Sequence, residues 1–371
     1  MKILELCTSA GWGGLELYAW QVGLWFQQHQ HDCVAVITPD SLLAKRFAGS
    51  GLQIDYCKPL FKPLPLLAAK RLSKVLDEND VDILHVHWNK DLILAVLAKR
   101  FSHRKPKLVF IRHMALTRHK RDGYHRFIYN GIDKYLVITK RLYAEARQFL
   151  PLSEDKIQLL YHGVPECEPV DQARCQEFRT QQHLPENTFN ILLPGRIEHY
   201  KGQHILVMAM KLLRQQGISV HVALLGHVMD EDYFADLQQQ IKADGLRDHV
   251  HYLGFVDKPS DIYGCFDVVV LTTYAETFGL VLVEAMKCGV AVIGTNAGGV
   301  PEIIEHEKTG MLYEPGDATD LADCLKKLLE DNVLRQELAR AGKAYADEVF
   351  SEQQHYAKLT QLFSDLTSQN D

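Results

Sequence analysis

Thr272-Thr-Tyr-Ala-Glu276-Thr-Phe278-Gly279-Leu280-Val-Leu-Val-Glu284-Ala-Met-Lys287-Cys-Gly-Val-Ala-Val-Ile293-Gly-Thr-Asn-Ala-Gly-Gly299 is the stretch from which the fold is read. The run before it, Phe266-Asp-Val-Val-Val-Leu271, is short, apolar and β-branched. It predicts a strand buried in a parallel sheet. Apolar residues at Leu280, Val281, Val283 and Met286 predict a helix over 279–287, and Gly289-Val-Ala-Val-Ile293 predicts the next strand. Glu276 then lies in a strand-to-helix loop and Glu284 inside the helix. The same alternation of strand and helix runs through both halves of the chain, which predicts two doubly wound α/β domains.

That placement carries chemistry. The amides of Phe278, Gly279 and Leu280 open a helix, and a helix N-terminus attracts anions, phosphates above all. Gly279 removes a side chain where a ligand would approach the backbone. Two carboxylates, Glu276 and Glu284, suit pairs of sugar hydroxyls. Taken by spacing alone, the plainer account is that Glu276 caps the helix and Glu284 is solvated.

Length and composition bound the rest. A chain of 371 residues suits two domains of ordinary size, and 47% hydrophobic with 24% charged residues is globular. No apolar run is long enough to span a bilayer, and the chain opens directly on Lys2-Ile-Leu-Glu-Leu-Cys7 with no secretory leader pattern. Cys7, Cys33, Cys57, Cys167, Cys175, Cys265, Cys288 and Cys324 include no Cys-x-x-Cys pair, which predicts buried free thiols in a reducing cytosol. Residues 1–185 carry 26 Lys and Arg against 19 Asp and Glu, a balance of +7; residues 186–371 carry 15 against 28, a balance of −13. A basic first half and an acidic second half bear on partners.

In the first half, Ala10-Gly11-Trp12-Gly13-Gly14 links the first strand to a helix reaching about Gln28. Such a loop is either a phosphate cradle or a turn needing positive φ. His85 and His87 share one face of a strand end; with no carboxylate or cysteine evident beside them, packing or acceptor contact is favoured over metal binding. Arg112 and His113 end the strand Lys107–Ile111, at the edge where open α/β sheets bind ligands. From Lys99 to Arg126 basic residues interleave with apolar ones, which suits an anionic membrane surface or an anionic acceptor. Residues 165–188 are polar and irregular and are read as a linker. In the second half, Pro194-Gly195-Arg196 and Lys201-Gly202 flank a turn, a pair of cations fit to grip a diphosphate. Asp230 and Asp232 match Asp-x-Asp but stand before a helix, where acids complement its dipole.

Taken together, Glu276-Thr-Phe-Gly-Leu-Val-Leu-Val-Glu284-Ala-Met, Gly294-Thr-Asn-Ala-Gly-Gly-Val-Pro-Glu302, the Gly-Arg…Lys-Gly pair at 195–202 and Gly13-Gly14 closely resemble the retaining glycosyltransferases of family four. Thr277 departs from the Pro or Ser found in many members. The resemblance implies the GT-B fold, two Rossmann-like domains facing across a cleft: an acceptor-side domain over 1–167, a donor domain over 188–350, and a C-terminal helix over about 351–371 crossing back to the first. It implies transfer of a sugar from a UDP- or GDP-sugar to a glycan or glycolipid hydroxyl with retained configuration, in bacterial cell-surface polysaccharide or lipopolysaccharide synthesis. It implies that Arg196, Lys201 and the helix start at Phe278, Gly279 and Leu280 hold the diphosphate, Glu284 the ribose, and Glu276 and His113 the sugar, with Gly13 and Gly14 facing the donor. No metal, cofactor or nucleic acid is expected, and a cytoplasmic, peripheral-membrane location is. Rival readings are a nucleotide-sugar epimerase, a phosphorylase, for which no pyridoxal phosphate lysine is recognisable, and a non-catalytic binding module.

Overall fold

The computed structural model describes residues 1–58, 64–186 and 188–368, so Asn187 in the polar stretch and the last three residues of the C-terminal segment lie outside it. The chain divides into two compact units. The first holds Met1–His162 and the C-terminal stretch from Gln353; the second holds Gly163–Glu352.

In the first unit seven strands form one sheet: β1 (Lys2–Cys7), β2 (Asp32–Ile37), β3 (Gln53–Tyr56), β4 (Ile83–Val86), β5 (Lys107–Arg112), β6 (Lys134–Val137) and β7 (Ile157–Leu159). Their order is β3-β2-β1-β4-β5-β6-β7, and every pair is parallel. Near-continuous apolar runs such as Ile3, Leu4 and Leu6, all at 0% exposure, are what a sheet covered on both faces demands. The edge strand β3 escapes a hydrophobicity reading because Gln53-Ile-Asp-Tyr56 is half solvated. The helix Leu92–Phe101 is buried almost all round and packs on the helix Leu66–Glu78, so no 3.6-residue stripe announces it. The C-terminal helix Glu352–Ser368 joins this unit through rings: Tyr356 stacks on Trp25 at 4.7 Å and Phe363 on Phe26 at 5.5 Å.

The second unit carries β8 (Phe189–Pro194), β9 (Val220–Leu225), β10 (Val250–Tyr252), β11 (Val268–Val270), β12 (Ala291–Thr295) and β13 (Met311–Tyr313), again parallel, in the order β10-β9-β8-β11-β12-β13. This is the doubly wound Rossmann order. Strand order reverses between β8 and β11 here and between β1 and β4 in the first unit. Loops leave a crevice at such points, and ligands bind there.

The stretch read as a linker belongs to the second unit. It contains the helix Gln172–Gln181, capped by Asp171, which accepts from the Arg174 amide. Two disulfides fasten it, Cys167–Cys288 and Cys175–Cys265, with separations of 121 and 90 residues. The expectation of free thiols therefore fails for these four; Cys7, Cys33, Cys57 and Cys324 are free and buried. The pairing is invisible in spacing because it forms only when the segment folds back on its unit. Lys287 shows the same folding back: its fully buried ammonium meets Glu166 at 2.8 Å and Asp347 at 3.6 Å.

In denaturant without reductant, the four free cysteines should react with a thiol reagent and the other four should not. Reaction of all eight would remove the bridges from the structure. Reduction should lower the melting temperature by several degrees, since a disulfide stabilises by about 2–4 kcal/mol and 1 kcal/mol moves a unit of this size by about 2–4 °C.

Candidate functional site

The sequence-singled residues of the second unit converge on its switch point. Gly195 and Arg196 follow β8 and Glu276 follows β11, its neighbour in the sheet. Lys201 Nζ meets Glu276 Oε2 at 2.8 Å, with both side chains largely buried. Arg196 is half exposed and paired with Glu198 at 2.8 Å, a partner the spacing did not indicate. The loop between them is held from below: Thr272 Oγ1 donates to the Lys201 carbonyl at 2.7 Å, Gln203 Nε2 to the Arg196 carbonyl at 2.8 Å, and Tyr200 OH to the Ala275 carbonyl at 2.7 Å.

Backbone, not side chain, positions Glu276. Its carbonyl accepts from the Gly299 amide at 2.8 Å, and a Cβ on Gly298 (φ 69°) would sit 2.0 Å from that same oxygen. Only glycine fits. The glycine loop after β12 thus grips the loop after β11. Gly279 precedes the helix Leu280–Lys287 at φ 107°. A Cβ there would meet Ile303, Leu271 and Leu282 at ordinary distances of 3.5–3.6 Å, so the dihedral, rather than clearance for a ligand, selects the glycine. Phe278 is buried, edge-on to Phe350 at 5.6 Å, and anchors the loop.

Glu284 lies partly buried on that helix and accepts from Tyr263 OH at 2.9 Å. Burial raises its carboxyl pKa above the usual value, and the Tyr263 bond only partly offsets this. Glu284 is therefore not a solvated helix residue. Tyr263 was missed from sequence: it lies in the short helix Ser260–Tyr263 and carries no motif. Asp230 caps the helix Glu231–Ala243 by accepting from the Tyr233 amide at 3.0 Å, as its place before a helix suggested.

In the first unit Gly13 precedes the helix Gly14–Gln28 with φ −173°, so the loop is extended and needs no left-handed residue. Ser9 Oγ bonds Glu16, which closes the loop on the helix. His113 follows β5. Its ring stacks on His162 at 5.2 Å and tilts against Tyr18 at 5.2 Å, and its buried Nε2 has no hydrogen-bond partner. Burial first, then His162 and His87, push its pKa well below the free value, so the imidazole is neutral at physiological pH. The expectation that no carboxylate joins His85 and His87 is overturned. Glu5, 80 residues away in sequence, meets His85 Nδ1 at 2.9 Å and His87 Nε2 at 2.5 Å.

The raised pKa of Glu284 has a signed consequence. A carboxyl whose folded pKa exceeds its unfolded one adds stability that is fully present below the unfolded value and is lost as pH rises through the folded value. Glu284→Gln should thus melt above wild type at pH 8, and the gap should close as pH falls toward 4.5; a pH-independent gap would contradict the burial cost. Gly298→Ala should lower the melting temperature at every pH.

Two family models match the chain: that of the group 1 glycosyl transferases over residues 175–345 and that of Glycosyltransferase Family 4 over residues 12–166. The N-acetyl-alpha-D-glucosaminyl L-malate synthase of Bacillus anthracis is 28% identical over 312 residues, 82% of this chain and 80% of that protein. A D-inositol 3-phosphate glycosyltransferase of Arthrobacter is 38% identical over 173 residues, 45% of this chain and 41% of that one. Among solved structures, HepE of Anabaena in complex with UDP superposes with a TM-score of 0.87 at 23% identity, over 98% of this chain and 100% of that one. A glycosyltransferase from Rickettsia africae superposes with a TM-score of 0.89 at 19% identity, over 98% of each chain. Two Rossmann-ordered parallel sheets, the paired Lys201 and Glu276 at a switch point, and these matches along nearly the whole length lead to one conclusion: the chain is a glycosyltransferase of family four, with the GT-B fold.

Proposed function

We propose that the protein transfers a sugar from a UDP- or GDP-sugar to a hydroxyl of a glycan or glycolipid, with retained anomeric configuration, in building a cell-surface polysaccharide. The bond from C1 to the diphosphate oxygen breaks, the bond from the acceptor oxygen to C1 forms on the same face, and the departing phosphate takes the acceptor's proton. The observation that carries this is the Lys201–Glu276 pair beside the start of the helix Leu280–Lys287. A cation at that point offsets the charge that develops on a leaving diphosphate, and amides at a helix start add to it. Arg196 completes the positive set, so the donor site needs no divalent cation.

In this reading Glu284, held by Tyr263, takes the ribose hydroxyls, and Glu276 orients the sugar. His113, whose imidazole is neutral, is taken as a sugar contact, and Gly13 and Gly14 as the glycine loop facing the donor. The Anabaena HepE structures, which contain UDP, UDP-glucose, or UDP with glucose, support a nucleotide-sugar donor by analogy. An epimerase would share the nucleotide contacts but turn over with no acceptor.

Two features bear on location. Among the described residues no helix is long and apolar enough to cross a membrane. Much of the basic run 99–126 is spent internally: Lys99 pairs with Asp133, Arg104 with Asp82 at 2.9 Å, Arg100 covers Phe127 at 4.3 Å, and Arg112 bonds Asn89 and the Ala115 carbonyl. Arg121 donates to the Gln148 carbonyl at 2.9 Å and Lys120 is half-buried, which leaves exposed Arg118 and Arg126 in the same segment as exposed Met114 and Tyr124. We assign these to an anionic membrane surface.

A thermal-shift screen against UDP, GDP, ADP and their sugar conjugates, without added metal, tests the donor. One nucleotide should raise the melting temperature, by about 2.7 kcal/mol of stability at a hundredfold excess over its dissociation constant. No shift with any of them would sink the assignment of Arg196, Lys201 and Glu284. Lys201→Ala should lower kcat by about 10²–10³, the scale for losing one charge-stabilising group. Sedimentation with anionic vesicles should capture the protein at low salt and release it at high salt; salt-insensitive or absent capture would refute the surface role.

A further inference from the structure

The first sheet holds a buried carboxylate and two imidazoles that sugar transfer leaves unused. His85 and His87 alternate along β4 and its end, so their side chains leave on one face. Glu5 on β1 is the register partner of His85. The three residues are fully buried, and one ligand atom from each lies within 4.8 Å of the others.

The cluster does not satisfy itself. His85 Nδ1 and His87 Nε2 both meet the same carboxylate oxygen, Glu5 Oε2. Among the described residues no Lys or Arg forms an ion pair with it; its partners are the two imidazoles. Glu5 Oε1, His85 Nε2 and His87 Nδ1 are buried without a partner. Buried polar atoms normally have partners.

We propose that Glu5, His85 and His87 bind one divalent transition-metal ion of the zinc class. Two imidazole nitrogens and a carboxylate oxygen are a donor set for zinc, cobalt or nickel, whereas calcium and magnesium call for oxygen alone. The ion would give the buried carboxyl and the two imidazoles a shared partner. Bond lengths of about 2.0–2.1 Å put tetrahedral ligands about 3.3 Å apart. The present separations are 2.9 and 2.5 Å, so the ligand atoms move apart by less than about 1 Å to admit the ion. Water takes the remaining position. The ion would clamp β1 to β4 at the switch point of the first sheet, beside His113, whose ring lies 6.3 Å from that of His87. This role is structural and independent of the donor assignment.

The test uses the full chain without a histidine tag. It is stripped with a chelator, loaded with zinc or cobalt, and dialysed. Elemental analysis should find about one ion per chain, the cobalt form should show the intense visible bands of a tetrahedral site, and zinc should raise the melting temperature. Glu5→Gln and His87→Asn should lose the ion, while His249→Asn should keep it; His249 belongs to a second histidine cluster, its ring 4.6 Å from that of His221. Less than about a tenth of an ion per chain with no thermal response overturns the proposal. So does loss in His249→Asn with retention in a folded His87→Asn. Should the Glu5 and His87 variants fail to fold, the wild-type cobalt spectrum decides, because weak octahedral bands exclude this site.

Discussion

The contact between the Glu276 carbonyl and the loop Gly298-Gly299 governs the second unit. It joins the segment after β11 to the segment after β12 at van der Waals limits, with the Gly299 amide donating at 2.8 Å and no room for a Cβ on Gly298. A carbonyl gripped in this way fixes the backbone from which the Glu276 side chain leaves. The carboxylate itself is held by Lys201 at 2.8 Å and by the Thr277 amide at 3.2 Å, and the two opposite charges stand at the crevice that the Rossmann strand order opens. Side chains on rigid strand ends keep their positions without a ligand, and such preorganisation lets a site stabilise developing charge without first moving.

The first unit solves a different problem. Its switch point is filled with ionisable rings, His85, His87, His113, His162 and His355, packed around Tyr18 and Glu5. Burial and mutual repulsion depress the pKa of His87 to about 4, of His162 to about 3 and of His355 to about 4, which leaves these rings neutral near pH 7. A neutral imidazole both donates and accepts, so Tyr18 OH can meet His355 Nε2 at 2.9 Å while His355 Nδ1 donates to the Tyr161 carbonyl at 2.7 Å. The C-terminal helix is thereby tied to the first sheet by polar contacts as well as by stacked rings.

The two disulfides and the Lys287–Glu166 pair stabilise the flanks of the helix Leu280–Lys287. Cys288 directly follows the helix that carries Glu284, and Cys265 lies two residues after Tyr263, which holds Glu284. The segment 163–182, polar and without a hydrophobic stripe of its own, is ordered by covalent bonds and charge rather than by core burial.

By itself the sequence determined the alternation of strand and helix, the two parallel sheets, and the motif residues Arg196, Lys201, Glu276, Gly279 and Glu284. These rest on local information: apolar runs of strand length, helical periodicity, and glycines at fixed offsets from carboxylates. Only the tertiary structure decided what lies far apart in the chain. The edge strand β3 is half solvated and the helix Leu92–Phe101 buried all round, so neither shows a one-faced pattern. Tyr263 beneath Glu284, Glu5 between two histidines 80 and 82 residues away, and the cysteine partners 121 and 90 residues apart have no spacing that marks them. Periodicity records which face a residue presents to the core; it holds no record of which residue on another strand that face will meet.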